Sequence, residues 1–303
     1  MRKSFLILLS LTAGLVACNK NMDIVGTSSD QTIETKSGEI LFTAEGEGIV
    51  TEVLSKATTA VTALTSFNVE CVTGTLGSAE TEKFNATFTK DGSTSNYKGG
   101  QFWPKDDAGY KFYAANATIT KATTGPTIAA TNSTDIVAAV LASPTFKTTN
   151  ALVFNHIFAR LGACKVTAPT NYSVSNLSVK ITPKTGGTYN MFTGNGKNDG
   201  TGWSATSTGS AVTLNSGSID AAGSSTAAAT DTYLVPGSYT LSVSYDLTQG
   251  AYTEHFDKTT NAQSILGGKI NAINLSLPDG AASEIVFTVT VTPWGDNTVN
   301  FGF

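Results

Sequence analysis

Apolar side chains at every second position recur along most of this chain, and that period constrains its fold more than any other feature. Phe67, Val69 and Cys71 alternate with Asn68 and Glu70, and Leu177, Val179 and Ile181 alternate with Ser178 and Lys180. Later, Tyr239, Leu241, Val243, Tyr245 and Leu247 alternate with Thr240, Ser242, Ser244 and Asp246, and Ile285, Phe287, Val289 and Val291 alternate with Val286, Thr288 and Thr290. Successive side chains of a strand point to opposite faces, so each run predicts a strand buried on one side. Asp91-Gly92, Asn195-Gly196, Asp199-Gly200, Pro236-Gly237 and Asp279-Gly280 supply turns between the runs, because Gly tolerates positive φ and Asx or Pro favours the bend before it. The expectation is an all-β protein with one short helix, at Thr134 to Ala142. There Thr134 or Asp135 would cap the first amides, Ile136, Val137, Val140 and Leu141 would share a face, and Pro144 would end the helix.

Two stretches rich in Ala, Thr, Ser and Gly, Thr118 to Thr134 and Thr201 to Thr232, read as long loops or short edge strands. The 303 residues exceed a usual domain of roughly 100 to 200. A division near Thr148 to Ala151 gives an N-terminal unit over 39–149 and a C-terminal unit over 150–303.

The first residues have a different character. Arg2 and Lys3 precede an apolar stretch from Phe5 to Val16, too short to span a bilayer and followed at once by Asn19-Lys20-Asn21. Residues 1–17 read as a signal peptide. Leu15-Val16-Ala17-Cys18 resembles the bacterial lipobox, in which the cysteine thiol is acylated and becomes the new N-terminus. Residues 18–38 lack an apolar period and read as a lipidated, flexible tether. Acyl chains on Cys18, at about 0.8 kcal/mol per buried methylene, would hold the chain at a membrane.

Composition narrows the functional classes. With 19 Lys and Arg against 23 Asp and Glu the chain has no basic field suited to nucleic acid, and 14% charged residues with abundant Thr, Ser, Gly and Ala suits an exported β-protein. Cys71 and Cys164 could oxidise in an exporting compartment or serve as small apolar core residues. The two histidines, His156 and His255, fit no zinc pattern, and His156, within Phe154-Asn155-His156-Ile157-Phe158, reads as a hydrogen-bonded structural histidine. There is no G-x-S-x-G elbow. Gly194-Asn195-Gly196-Lys197-Asn198 lacks the spacing of a phosphate loop and reads as a turn, and Asn195, Asn198 and Asp199 miss the calcium-loop spacing. Asp106-Asp107 reads as a solvated turn, since adjacent strand residues face apart. Trp103, Trp203 and Trp294 could stack on sugars, but their neighbours favour packing roles. Neither a metal nor a cofactor is expected, and no catalytic set can be assembled, so the chain reads as a non-enzyme.

Several stretches, in order, resemble the fimbrillin-like proteins of Bacteroidetes, the building blocks of type V pili. They are Leu64-Thr65-Ser66-Phe67-Asn68-Val69, Gly99-Gly100-Gln101-Phe102-Trp103-Pro104 with Tyr110-Lys111-Phe112-Tyr113-Ala114-Ala115, Asp135-Ile136-Val137-Ala138-Ala139, Phe154-Asn155-His156 with Ala159-Arg160-Leu161, Leu234-Val235-Pro236-Gly237, Leu266-Gly267-Gly268-Lys269, and Val289 to Trp294. The resemblance implies two transthyretin-like β-sandwich domains in tandem. It also implies export to the outer membrane as a lipoprotein, a cut by a trypsin-like protease after a basic residue, release of the first strand, and filling of the groove by a strand of another pilus subunit. On that reading the removable strand lies within Ile40 to Leu54, the cut falls at Lys56, with Lys36 as the alternative, and the donor segment is the C-terminus, where Val299, Phe301 and Phe303 alternate. A monomeric surface lipoprotein that binds glycan or a host ligand is the alternative role.

Overall fold

The computed structural model describes residues 37–46, 49–50, 62–92, 94–104, 109–228, 232–281 and 283–294. In chain order the elements are β1 (Ser37–Glu45), β2 (Ile49–Val50), β3 (Thr62–Ala63), β4 (Ser66–Thr75), β5 (Ala79–Lys90), β6 (Tyr97–Trp103), β7 (Lys111–Ala115), β8 (Thr127–Thr131), β9 (Val137–Leu141), β10 (Thr149–Val153) and β11 (Asn155–His156). They continue with β12 (Ala159–Thr167), β13 (Ser173–Ile181), β14 (Lys184–Asn190), α1 (Met191–Gly194), β15 (Trp203–Thr208), β16 (Val212–Ile219), β17 (Ser224–Ala227), β18 (Tyr233–Leu234), β19 (Gly237–Tyr239), β20 (Leu241–Gln249), β21 (Tyr252–Thr259), β22 (Gln263–Ile265), β23 (Lys269–Ser276) and β24 (Val286–Pro293). The fold is nearly all β, as the period predicts.

The first eight-stranded sheet has the order β10-β1-β6-β5-β4-β7-β9-β11. It curls, so that Leu152 and Phe154 at one edge share a core with Val137 and Ala139 near the other. Phe67, Val69 and Cys71 point into this core, and the Phe67 ring lies 5.1 Å from that of Phe154. Farther along, the sheets β17-β12-β23-β24 and β16-β13-β20-β21 pack face to face. Leu161, Val166, Ile273 and Phe287 of one meet Val174, Val179, Leu241 and Tyr245 of the other in a single core, the arrangement of a β-sandwich.

A third core joins the two regions. Val72, Tyr113 and Ile128 pack in it with Tyr189, Met191 and Val235. Strand β8 pairs with β14, from Thr127 against Asn190 to Thr131 against Gly186. A boundary at 149/150 falls inside β10, which pairs with β1, and β11 pairs with β9 in the same first sheet. The sandwich strands start at Ala159.

One local expectation is corrected. Residues predicted as a helix from Thr134 to Ala142 contain strand β9, which lies between β7 and β11. Val137, Ala138 and Ala139 are buried in succession because the sheet carries a core on each face, and a run buried on both sides carries no strand period to distinguish it from a helix. The capping groups serve the sheet as well: Asp135 binds His156, and the Val137 amide donates to Asn116 Oδ1 at 2.9 Å. The one helix among the described residues is α1, a single turn whose N-cap Asn190 accepts from the Thr193 amide. The two low-complexity stretches hold β8, β15, β16 and β17, each at a sheet edge.

Candidate functional site

The residues that could act as a releasable strand and its slot centre on β1. This strand lies inside its sheet, parallel to β10 on one side and antiparallel to β6 on the other. Ile40 and Phe42 are fully buried, and Ala44 packs beside them. The Phe42 ring sits edge-on to Phe88 and Phe112, each with its centroid 5.0 Å away, in an attractive aromatic geometry. Burial of Ile40 and Phe42 contributes about 1.5–3 kcal/mol each.

The walls of the slot follow from local sequence. On β6, a Cβ at Gly99 would lie 2.7 Å from the Phe88 ring, so glycine makes room for the ring that touches Phe42. Gly100 takes φ +66° and its amide donates to Glu39 Oε1 at 3.1 Å, beside the register shifts where β1 meets β6. On the other side, buried Asn150 staples the turn before β10: its Oδ1 accepts from the Thr145 amide at 2.7 Å, and its Nδ2 donates to the carbonyls of Thr145 at 2.9 Å and Thr148 at 3.0 Å.

The same device recurs in the sandwich. Asn271 Oδ1 accepts from the Leu266 amide at 2.9 Å, and Nδ2 donates to Leu266 and Lys269 carbonyls at 2.9 and 3.0 Å. In both places the asparagine binds the residues five and two positions before it. The strand it opens pairs in parallel with the first long strand of its region, β10 with β1 and β23 with β12. The internal repeat is invisible in the sequence, where Thr145 to Asn150 and Leu266 to Asn271 share only the asparagine.

Cys18, Lys36, Lys56, Val299, Phe301 and Phe303 lie outside the described residues, as do Asp106 and Asp107. Cys71 and Cys164 are free thiols buried in different cores, and burial pushes the Cys164 thiol up to about 12. His156 is the structural histidine its setting suggests: Nδ1 lies 3.0 Å from Asp135 Oδ1, and its ring stacks on Trp294 at 4.1 Å. Trp103 and Trp294 are buried, and Trp203 packs on Phe158 and Tyr189 with its Nε1 donating to the Ile157 carbonyl at 3.3 Å. Trp103 and Trp294 offer no open face for a sugar, and Trp203 is half-buried. Asp199 accepts from the Thr201 amide at 2.9 Å, and no metal-binding group of His, Cys, Asp or Glu occurs among the described residues.

The fold and slot define a class: a multi-sheet β-protein in which an N-terminal strand is clasped between a later parallel strand and an antiparallel one. The fimbrillin-like family model matches residues 25–294, and the chain belongs to that family. Three solved structures are similar in fold. A candidate cell adhesion protein from Bacteroides ovatus has a TM-score of 0.47 and 13% identity over 85% of this chain and 98% of its own. A fimbrial assembly protein from Parabacteroides distasonis has 0.37 and 12% over 84% and 99%, and a candidate adhesin from Bacteroides thetaiotaomicron has 0.40 and 8% over 84% and 96%. None of the curated proteins matches.

Proposed function

We propose that this chain is a structural subunit or accessory component of a cell-surface pilus, exported as an outer-membrane lipoprotein through Cys18 and assembled by release of β1 and insertion of a donor strand. Its role is adhesion and surface attachment rather than catalysis. The observation that carries the reading is the position of β1, an interior strand with two fully buried side chains that precedes Lys56 in the chain. A cut after Lys56 leaves β1 held to the body by no covalent link. A cut after Lys36 removes only what precedes Ser37, the first residue of β1, so of the two basic residues Lys56 is the one that releases the strand.

Loss of β1 exposes the amides and carbonyls of β6 and β10 together with the Phe67, Phe88 and Phe112 rings. An incoming strand restores both kinds of contact, which is strand addition between chains. Val299, Phe301 and Phe303 repeat the two-residue spacing of Ile40, Phe42 and Ala44, so a C-terminal segment of another copy suits the same pockets. We place the division between the two sandwich units after His156, where chain pairing passes from the first sheet to the second.

Mild trypsin treatment of the purified precursor tests the proposal. Cleavage at Lys56 is expected to yield a detergent-resistant oligomer ladder, and a precursor cut there that stays monomeric would refute it.

A further inference from the structure

On the face of β4 opposite the Phe42 core lie Asn68, Glu70 and Val72, at alternate positions. Glu70 is 0% exposed, and neither carboxylate oxygen has a hydrogen-bond partner among the described residues. The cover over this face is the segment 116–123. Asn68 Nδ2 donates to the Ala117 carbonyl at 3.0 Å and Asn85 Nδ2 to that of Ile119 at 3.5 Å, while the Ile119 side chain is buried. Glu80 and Glu82 act on Glu70 from β5 and Lys121 from the covering segment. From β7, Tyr113 stands opposite Glu70, with Lys111 two positions away opposite Val72. Glu80 is already engaged, accepting from Tyr113 Oη at 2.5 Å and the Gly77 amide at 2.7 Å. A cavity of about 390 Å³ opens nearby, lined by Ser78, Ala79, Glu80, Lys121, Ala122 and Thr123.

We propose that Glu70 is a proton-operated latch for the segment 116–123. Protonated, the carboxyl group lies neutral beneath the segment, which closes on β4 and β5. On ionisation the proton passes to solvent, the carboxylate draws water through the adjacent cavity, and the segment lifts against the attraction between the carboxylate and the Lys121 ammonium. A buried carboxylate without partners is costly, and neighbouring like charges add to that cost. Burial first, then Glu82 and Glu80, raises Glu70 to about 7, against the opposing pull of Lys121.

The closed form therefore holds its proton more tightly than an opened one. Closure is strongest below the ordinary carboxylate value of 4.5, weakens as pH rises toward about 7, and levels off above it. The segment leads directly into β8, whose pairing with β14 joins the first sheet region to the sandwich region, so the latch bears on that junction.

Hydrogen exchange of the 116–123 amides at pH 5 and pH 8, corrected for intrinsic rates, tests the latch. Protection should fall about tenfold or more across this range and stay level in Glu70→Gln. Glu82→Gln, an exposed substitution that leaves the Glu80 hydrogen bonds in place, should move the midpoint of the change to lower pH. Equal pH dependence in wild type and Glu70→Gln would overturn the proposal, and so would an unmoved midpoint in Glu82→Gln. The second variant decides alone if the first does not fold.

Discussion

Replacing Phe42 with alanine tests the slot at its centre. The ring is fully buried and contacts Phe88 and Phe112 edge-on, with Phe67 6.5 Å away. Those partners sit on three different strands, β4, β5 and β7, whose hydrogen-bonded pairing limits how far they can collapse into the space left behind. Loss of a buried phenylalanine costs about 3–5 kcal/mol, transfer and cavity contributions together, and this site belongs toward the upper part of that range because edge-on aromatic contacts are worth about 0.5–1.5 kcal/mol beyond area. Leu41 is the control on the same strand. It faces the opposite way and is half-buried, so Leu41→Ala should cost about 1 kcal/mol, near the centre of the range for single substitutions. Urea unfolding of the lipid-free precursor reads both. Trp103 supplies the signal, since its ring is 5.9 Å from Phe112 in the same core. Equal losses for Phe42→Ala and Leu41→Ala, or a loss under about 1 kcal/mol for Phe42→Ala, would refute the inward placement of Phe42 and with it the slot.

Two further outcomes follow from the cores and staples. Asn150→Ala and Asn271→Ala each delete three hydrogen bonds to turn backbone, the second also one to the Arg160 carbonyl, and should cost about 2–4 kcal/mol at each site in denaturant melts, whereas Asn→Asp, which sets a buried carboxylate oxygen against the carbonyls that Nδ2 served, should cost at least as much as Ala at neutral pH. Cys71 and Cys164 lie in separate cores and should resist a thiol reagent in the folded chain and react as two free thiols in urea; a single disulfide found by mass spectrometry would contradict this placement.

How much of this was legible in the sequence depends on where a strand sits. Strands β4, β13 and β20 turn Phe67, Val179 and Val243 toward a core, and their period of two is plain. Strands β7 and β9 lie between two cores, so Phe112 to Ala115 and Val137 to Ala139 are buried without alternation, and the second run was open to a helical reading. Glu70 shows the converse limit. At an alternate position between Val69 and Cys71 it reads as solvent-facing, yet a segment about fifty residues downstream covers it, as the Asn68 to Ala117 hydrogen bond across 49 positions marks. The setting of His156 was readable from its apolar neighbours, but its partners, Asp135 and Trp294, come from separate parts of the chain. The slot was partly legible. The family resemblance implies a removable strand within Ile40 to Leu54, and β1 covers Ser37–Glu45, whereas its parallel neighbour β10 and the asparagine staple required three-dimensional contacts.

The N-terminal residue of this chain in surface filaments distinguishes a subunit that has released β1 from one that keeps it. Filaments sheared from cells, purified in detergent and analysed by mass spectrometry should contain chains that begin at Ala57, the residue after Lys56, with β1 gone and its slot occupied by another subunit. Filament chains that begin at Cys18 or Ser37, and so retain β1, would contradict strand release and donor-strand assembly.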